Sequence, residues 1–429
     1  MFNLRGILTG LAAIIFGLIL GLLVIEVGLR LTPDVKWKAL ISKNPTRYVL
    51  YQTDKNIGWV HVPGAYAQWP GPEFEVSVQI NSHGLRDSEH TYEKPPDTFR
   101  ILLLGDSFSE GIQVPLEQTF PARLETCLAQ QTGQPVEVIN TGTASYGPGD
   151  ELLFFIHEGV KYQPDLVLVA IFAGNDIKNM TRAVDDDMVQ AFGGYKFYSN
   201  EGHLEKQWLE WAEPDHEISS IERFLRRHIN LYYIFNAPDS GVREEFNKFV
   251  GRWRSQSSAP EPVTKTSDFP DYAYDEDLMI FAGDFPDNPA VPPSMKELWE
   301  SFKAALLALQ SEVEAHNFPM AVVILPRDVQ IHETVYRELA SKYQNRYNDP
   351  LIDTEWDVTA PNQAIERFLT ESGIPSLDLL PGFQTQAETH PDLLYFPVDG
   401  HFNEKGHQLA ASLMCDWLVE NKLLLHSKF

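Results

Sequence analysis

Four short segments of this 429-residue chain carry side chains whose types can work together. Gly105-Asp106-Ser107 ends the apolar run Ile101-Leu102-Leu103-Leu104, and Asp399-Gly400-His401 lies near the far end of the chain. Between them come Asn140-Thr141-Gly142-Thr143 and Ala173-Gly174-Asn175-Asp176. A serine hydroxyl is a poor nucleophile until a base takes its proton. Histidine suits that task because its ordinary pKa lies near working pH. A carboxylate behind it fixes the tautomer and steadies the charged ring. Ser107, His401 and Asp399 supply these parts. Acyl transfer also develops negative charge on an oxygen, which needs fixed donors. Candidates are the N–H of Ser107, the N–H of Gly142, which no side chain of its own obstructs, and the side-chain amide of Asn175.

Each segment also has a plainer reading. Gly-Asp-Ser is a common turn, and Gly142 can serve a turn conformation. Asn175 can close an Asx-type turn, and Asp399-Gly400 can be a turn with His401 at a helix entrance. Their joint occurrence after successive strands favours the catalytic reading. Of the other histidines, His407 falls within the closing helix and reads as a helix-face or core residue. His157 lies on a helix, His332 beyond the fourth strand and His390 in a loop before Pro391. No His-x-x-x-His spacing supports a zinc site built on His390, Asp399 and His401. No metal or other cofactor is expected.

The elements that must position these residues follow a strand–helix rhythm. Strands are expected over 100–105, 136–140, 165–172, 320–326 and 375–379. Helices are expected over 121–131, 150–162, 295–316, 363–372 and 403–421. The run Leu166-Val167-Leu168-Val169-Ala170-Ile171-Phe172 is apolar throughout, as for a strand of a parallel sheet covered on both faces. Such alternation predicts a doubly wound α/β sheet, whose ligand crevice lies at the carboxyl ends of the strands. Residues 177–294 break the rhythm with acidic, aromatic and proline-rich sequence, and one helix is expected there over 218–235. This insertion reads equally as a lid or substrate wall and as a decorating subdomain.

The amino-terminal stretch Ile7 to Ile25 is free of charge and almost wholly apolar. Its length as a helix, roughly 28 Å, approaches a hydrocarbon core of about 30 Å. It ends without an Ala-x-Ala site, so an uncleaved single-pass anchor is favoured over a signal peptide. Gly17 and Gly21 match Gly-x-x-x-Gly, a weak pairing signal. Arg5 precedes the stretch, and Arg30, Lys36, Lys38, Lys43 and Arg47 follow it, which by charge alone favours a cytoplasmic body. The expected organisation is an anchor over 1–31, an extension over 32–98 and a main domain over 99–429. The extension ends at Pro95-Pro96-Asp97.

Net charge is −26, from 34 basic and 60 acidic residues, which repels phosphate backbones and excludes nucleic acid as a partner. The only two cysteines, Cys127 and Cys415, form no Cys-x-x-Cys pattern, so zinc-ribbon and thioredoxin-like readings fail. Both fall on expected helices and read as small buried hydrophobes. A disulfide between them is left open.

Taken together, the four segments resemble the blocks of the SGNH, or GDSL-like, hydrolase family, over roughly 99–176 and 319–425. Gly105-Asp106-Ser107 resembles the nucleophile block, with Phe108 where leucine is often found. Gly142, Asn175 and Asp399/His401 resemble the later blocks in the family's order. The resemblance implies a flavodoxin-like α/β/α sandwich with a central parallel sheet. It also implies Ser107, Asp399 and His401 as catalytic residues, with Ser107, Gly142 and Asn175 at the oxyanion. Neither metal nor nucleotide is implied. Two positions depart from the pattern. Gly174 directly precedes Asn175 where Gly-x-Asn is usual, and one residue, not two, separates Asp399 from His401. The shorter spacing resembles an acetyltransferase-like branch that modifies bacterial exopolysaccharides. The expected function is a membrane-anchored serine esterase acting on an acyl ester, foremost an acetyl ester, on a small molecule or polysaccharide. The family implies an exported body, and this is preferred to the charge count. Acetyl transfer to an envelope polysaccharide, and a retired fold that binds glycans, are the rivals. Trp208, Trp211, Tyr232, Tyr233 and Trp253 of the insertion are their candidate sugar platforms.

Overall fold

Five strands lie side by side as β1 (Phe99–Gly105), β2 (Val136–Asn140), β3 (Leu166–Phe172), β4 (Met320–Leu325) and β5 (Ser376–Asp378). They are seen in a computed structural model. It describes residues 4–31, 46–180, 187–209, 229, 280–331 except 282 and 290, 357–389 and 393–424. The strand order is β5-β4-β3-β1-β2, and every pairing is parallel. This is the doubly wound, flavodoxin-like order, in which the chain reverses its direction of travel between β1 and β3. Register brings Leu103 opposite both Asn140 and Leu168, and Gly105 opposite Ala170, so β1 ends two residues past β2 and β3 two residues past β1. Every residue of β1, β3 and β4 is buried. Arg100 is the one charged side chain among them, held by Glu137 and the Tyr162 carbonyl, and each large apolar side chain contributes about 1.5–3 kcal/mol on full burial.

Helices cover both faces. They are α1 (Phe120–Thr132), α2 (Pro148–His157), α3 (Pro293–Ala315), α4 (Ala360–Glu371), α5 (Leu380–Thr389) and α6 (Glu404–Glu420). Leu103, Leu168 and Val323 share one core with Leu124 of α1, Phe383 of α5 and Met414 of α6. The alternation of a strand turns Leu102, Val169 and Ile324 to the opposite face, where α2 packs on α3.

Three local outcomes differ from expectation. The helix expected over 150–162 stops at His157 and resumes as a 3₁₀ turn over Gly159–Tyr162. Gly159 lies so close to Leu102 that a Cβ there would come within 2.8 Å of its side chain, so the chain drops onto the sheet at this point. Helix α5 has too short an apolar pattern to stand out. A hairpin, Gly194–Asn200 with His203–Leu209, occurs inside the insertion. Its Trp208 meets Tyr195 edge-on at 5.0 Å and carries Lys55 Nζ 3.9 Å above its ring, so it is occupied by protein contacts. The helix expected over 218–235 lies outside the described residues, as do Trp211, Tyr232, Tyr233, Trp253, His332 and His390.

The chain divides into two compact units. One takes in 54–182, 195–208 and 266–429, so most of the expected extension folds with the sheet. Pro95-Pro96-Asp97 divides no unit, because Trp59, Ile80 and Leu85 are buried in this body. The other unit includes the helices Leu4–Leu31, Arg47–Leu50 and Asp187–Phe192. Within it, Phe192 packs on Tyr48 at 5.3 Å, and its carbonyl accepts from Thr53 Oγ1 at 2.7 Å. The stretch Ala13–Leu31, with mean hydropathy 2.4, is long and apolar enough to cross a membrane.

Cys127 of α1 and Cys415 of α6 form a disulfide, with their Cα atoms 6.3 Å apart. The reading of both as plain small hydrophobes is corrected here. They sit where two packed helices face each other, a proximity that no local pattern encodes. Replacing both cysteines with serine is expected to lower stability by about 2–4 kcal/mol, measured by urea denaturation of the detergent-solubilised chain.

Candidate active site

Strand β1 delivers its chain directly into a short helix, Ser107–Glu110. Asp106 caps that helix, its Oδ1 accepting the Phe108 N–H at 2.8 Å. A side-chain oxygen satisfies an amide left orphaned at the helix start, and so fixes the turn. Asp106 is fully buried. Burial pushes its carboxyl up to about 6, and Glu110 adds to the rise, while the Phe108 N–H and His401 oppose it. Ser107 keeps part of its surface open among buried neighbours. No hydrogen bond takes its own N–H among the described residues.

Ser107 Oγ lies 2.8 Å from His401 Nε2, across a sequence separation of 294 residues. His401 Nδ1 lies 2.7 Å from Asp399 Oδ1. A carboxylate only accepts, so this contact assigns the proton to Nδ1 and leaves Nε2 to accept from the serine. Both ring nitrogens are thereby taken, which leaves none for a metal. Burial alone would lower the His401 pKa. The Asp399 hydrogen bond and charge, with weaker contributions from Asp106 and Glu110, outweigh it and hold the ring above its ordinary 6.5. The side chain keeps 24% of its surface accessible, which tempers the burial contribution and leaves the upward direction intact.

The one-residue spacing between Asp399 and His401 works because of Gly400. Its φ of +83° is a left-handed conformation that a side chain would strain. The Gly400 N–H donates to Phe396 O at 2.8 Å, and the Phe396 N–H donates to His401 O at 2.9 Å. This closed loop turns both side chains toward each other. Asn403 then caps α6, accepting from Lys405 and Gly406 at 2.9 and 3.1 Å. Phe108 packs against the His401 ring at 4.7 Å and stacks on Phe172 at 4.0 Å, so the aromatic at this position walls the base.

The donor residues are placed differently from one another. Gly142 is pressed against the Ser107–Glu110 helix, where a Cβ would come within 2.4 Å of the Glu110 nitrogen. Only glycine allows that approach. Its N–H is not open as expected from sequence: Asn140 Oδ1 accepts it at 3.0 Å. The same Asn140 donates Nδ2–H to Ser109 O at 2.8 Å, tying β2 to the serine's helix. Asn175 follows β3, with its Oδ1 turned inward and without a hydrogen bond.

Residues before β1 brace this turn, and sequence reasoning missed them. Arg86, fully buried, donates to Glu110 O and Val114 O, both at 2.6 Å. His61 Nε2 meets Glu110 Oε1 at 2.7 Å in a buried contact. Trp59 Nε1 donates to Ala144 O at 3.0 Å, and the Asn140 N–H donates to Asp87 Oδ2 at 2.7 Å. The partners lie too far away in sequence to leave a local pattern. Among the other histidines, His407 is buried and accepts the Phe120 N–H at 3.1 Å. Burial, helped by Arg86, drives its pKa down to about 3, so it stays neutral. His157 is exposed on α2.

No known family profile matches the chain. An arylesterase of Vibrio mimicus is 34% identical over 79 residues, covering 18% of this chain and 39% of the relative. The chain thus spans well under half the length of that curated protein. A solved member of the lipolytic protein G-D-S-L family from Veillonella parvula DSM 2008 is 10% identical. It aligns over 75% of this chain and 98% of its own, with a TM-score of 0.34. The acetyl xylan esterase AlAXEase is also 10% identical, over 75% of this chain and 100% of its own, with a TM-score of 0.35. The proteins this chain is similar to thus include an arylesterase, an acetyl xylan esterase and a lipolytic protein of the G-D-S-L family.

The His401 ring is expected to titrate above 6.5 by NMR of histidine-labelled protein. Asp399→Asn removes the nearby charge and is expected to lower that midpoint, whereas an unchanged midpoint would contradict the assigned contact.

Proposed function

We propose that this chain is a serine ester hydrolase of the SGNH kind, with Ser107 as nucleophile, His401 as base and Asp399 as the acid that orients it. The observation that carries the reading is the unbroken line Ser107–His401–Asp399, with contacts of 2.8 and 2.7 Å, at the carboxyl end of β1. Ser107 Oγ attacks the ester carbonyl as His401 Nε2 takes its proton. The tetrahedral intermediate collapses, the C–O bond to the alcohol breaks, and His401 returns the proton to the departing oxygen. Water then attacks the acyl-serine by the same route, releasing the acid and restoring Ser107. The Ser107 N–H and the Asn175 amide face the developing oxyanion in this proposal. The Gly142 N–H joins them by exchanging Asn140 Oδ1 for the oxyanion.

The finer proposal is an acetyl ester on a carbohydrate, processed by a body held at a membrane through the Leu4–Leu31 helix. We place that body outside the cytoplasm. The support is the disulfide, a bond that persists in oxidising compartments and is rare in the cytosol. Alkylation of intact cells before lysis tests this. Two blocked, disulfide-bonded cysteines are expected, and two free thiols would put the body in the cytoplasm.

Ser107→Ala is expected to reduce hydrolysis of p-nitrophenyl acetate by about 10⁴-fold or more while the urea midpoint stays near wild type. Wild-type protein is expected to take one fluorophosphonate adduct, and the variant none. Undiminished turnover in the variant would remove Ser107 from the mechanism. The lower limb of kcat/KM is expected to fall as pH drops through the raised His401 pKa, because the base must be neutral to accept a proton. Acetyl appearing on an added oligosaccharide, in place of free acetate, would reassign the chain to acetyl transfer.

A further inference from the structure

The loop that carries Asp399 and His401 is held at two points from outside the α/β core. One oxygen of Glu73, Oε2, accepts the N–H of Val398 at 2.8 Å and the N–H of Asp399 at 3.0 Å. Glu73 lies in the turn of an antiparallel hairpin, Tyr66–Pro70 with Glu75–Gln79. That turn is closed by the Gly71 N–H donating to Phe74 O at 2.8 Å. The neighbouring Phe74 meets Phe396, the first residue of the loop, at 5.2 Å between ring centres.

The loop's own bonds fix its ends and leave its middle. Phe396, Gly400 and His401 are joined to one another, while the Val398 and Asp399 amides both donate to Glu73. Those amides precede a glycine at φ +83°, the most permissive backbone in the segment. A bond to the Asp399 nitrogen fixes its Cα, and with it the direction in which its carboxylate leaves the chain. Two backbone N–H donors meet one side-chain oxygen of Glu73 here.

We propose that Glu73 is a positioning residue, clasping the Asp399–His401 loop so that the Asp399 carboxylate meets His401 Nδ1. This rests on the serine-hydrolase reading given above. The hairpin before the sheet thereby becomes part of the acid–base pair, although none of its atoms touches the reacting centre. An acceptor oxygen is what the loop needs from residue 73, more than a charge.

The test uses the full chain in detergent, with Glu73→Ala, Glu73→Gln and, as a neighbour on the same hairpin, Glu75→Gln. Three readouts are taken: the His401 NMR titration, hydrogen exchange over residues 396–403, and kcat and KM for p-nitrophenyl acetate. The groups facing His401 are Asp399 on its own loop, Asp106 and Glu110 from the serine's helix, and His407 from α6. Only the first is expected to move in the variants. Glu73→Ala is expected to lower the His401 midpoint toward that of Asp399→Asn and to speed exchange at Val398 and Asp399. It should cut kcat by roughly 10- to 100-fold, the range of a lost supporting contact, with KM within twofold. Glu73→Gln, which keeps an acceptor, is expected to recover most of kcat and of the titration. Glu75→Gln should match wild type. Wild-type titration and exchange in Glu73→Ala would overturn the proposal. If Glu73→Ala fails to fold, Glu73→Gln decides: near-wild-type behaviour supports the acceptor role, and full loss overturns it. A wild-type protein without ester turnover, but with a titration that Glu73→Ala shifts, would sink the hydrolase reading and leave the clasp standing.

Discussion

Burying the turn that carries Ser107 is the constraint on which the rest of this structure depends. A nucleophile at the end of a central strand must leave a layer with no water to satisfy its backbone. The chain meets this need with polar groups drawn from elsewhere. Asp106 takes the Phe108 N–H, Arg86 takes the carbonyls of Glu110 and Val114, and Asn140 takes the carbonyl of Ser109. Each such bond to a buried group is worth more for the cost of leaving it unmade than for its own strength. Gly142 then allows β2's exit loop to close on the same helix. The serine is thus held by its surroundings before any partner for its hydroxyl is considered.

Those surroundings explain what was legible in the sequence. The strands β1, β3 and β4 could be read because strands covered on both faces form near-continuous apolar runs. The meeting of Ser107, His401 and Asp399 could be anticipated because hydroxyl, imidazole and carboxylate differ in chemical type from the runs around them. The Cys127–Cys415 bond and the Glu110 contacts of His61 and Arg86 could not be read, because each joins residues far apart with nothing local to mark them. The extension was read as separate on the strength of its prolines, whereas Trp59 and Arg86 show it to be part of the core. The availability of the Gly142 N–H was misjudged for a related reason. The absence of a glycine side chain says nothing of what a neighbouring Asn140 places there.

The short spacing between Asp399 and His401 has a conformational explanation. Two residues in an extended strand, separated by one, point the same way but stand nearly parallel. The left-handed Gly400 bends the chain so that Asp399 Oδ1 reaches back to His401 Nδ1. A two-residue spacer would reach the same contact through a longer loop. The compact version leaves fewer internal bonds to fix it, and the loop takes its remaining acceptor from the hairpin at Glu73.

The bond between α1 and α6 has a topological consequence. The first of these helices follows the serine, and the second follows the histidine, so the bridge closes a covalent ring around everything between Cys127 and Cys415. The long insertion lies inside that ring. A single cut anywhere within it opens the ring without producing two separable pieces. The half bearing the nucleophile and the half bearing the base would remain one molecule, free to diffuse and refold together. A chain cut once between Cys127 and Cys415 would therefore keep Ser107 and His401 in one covalent body.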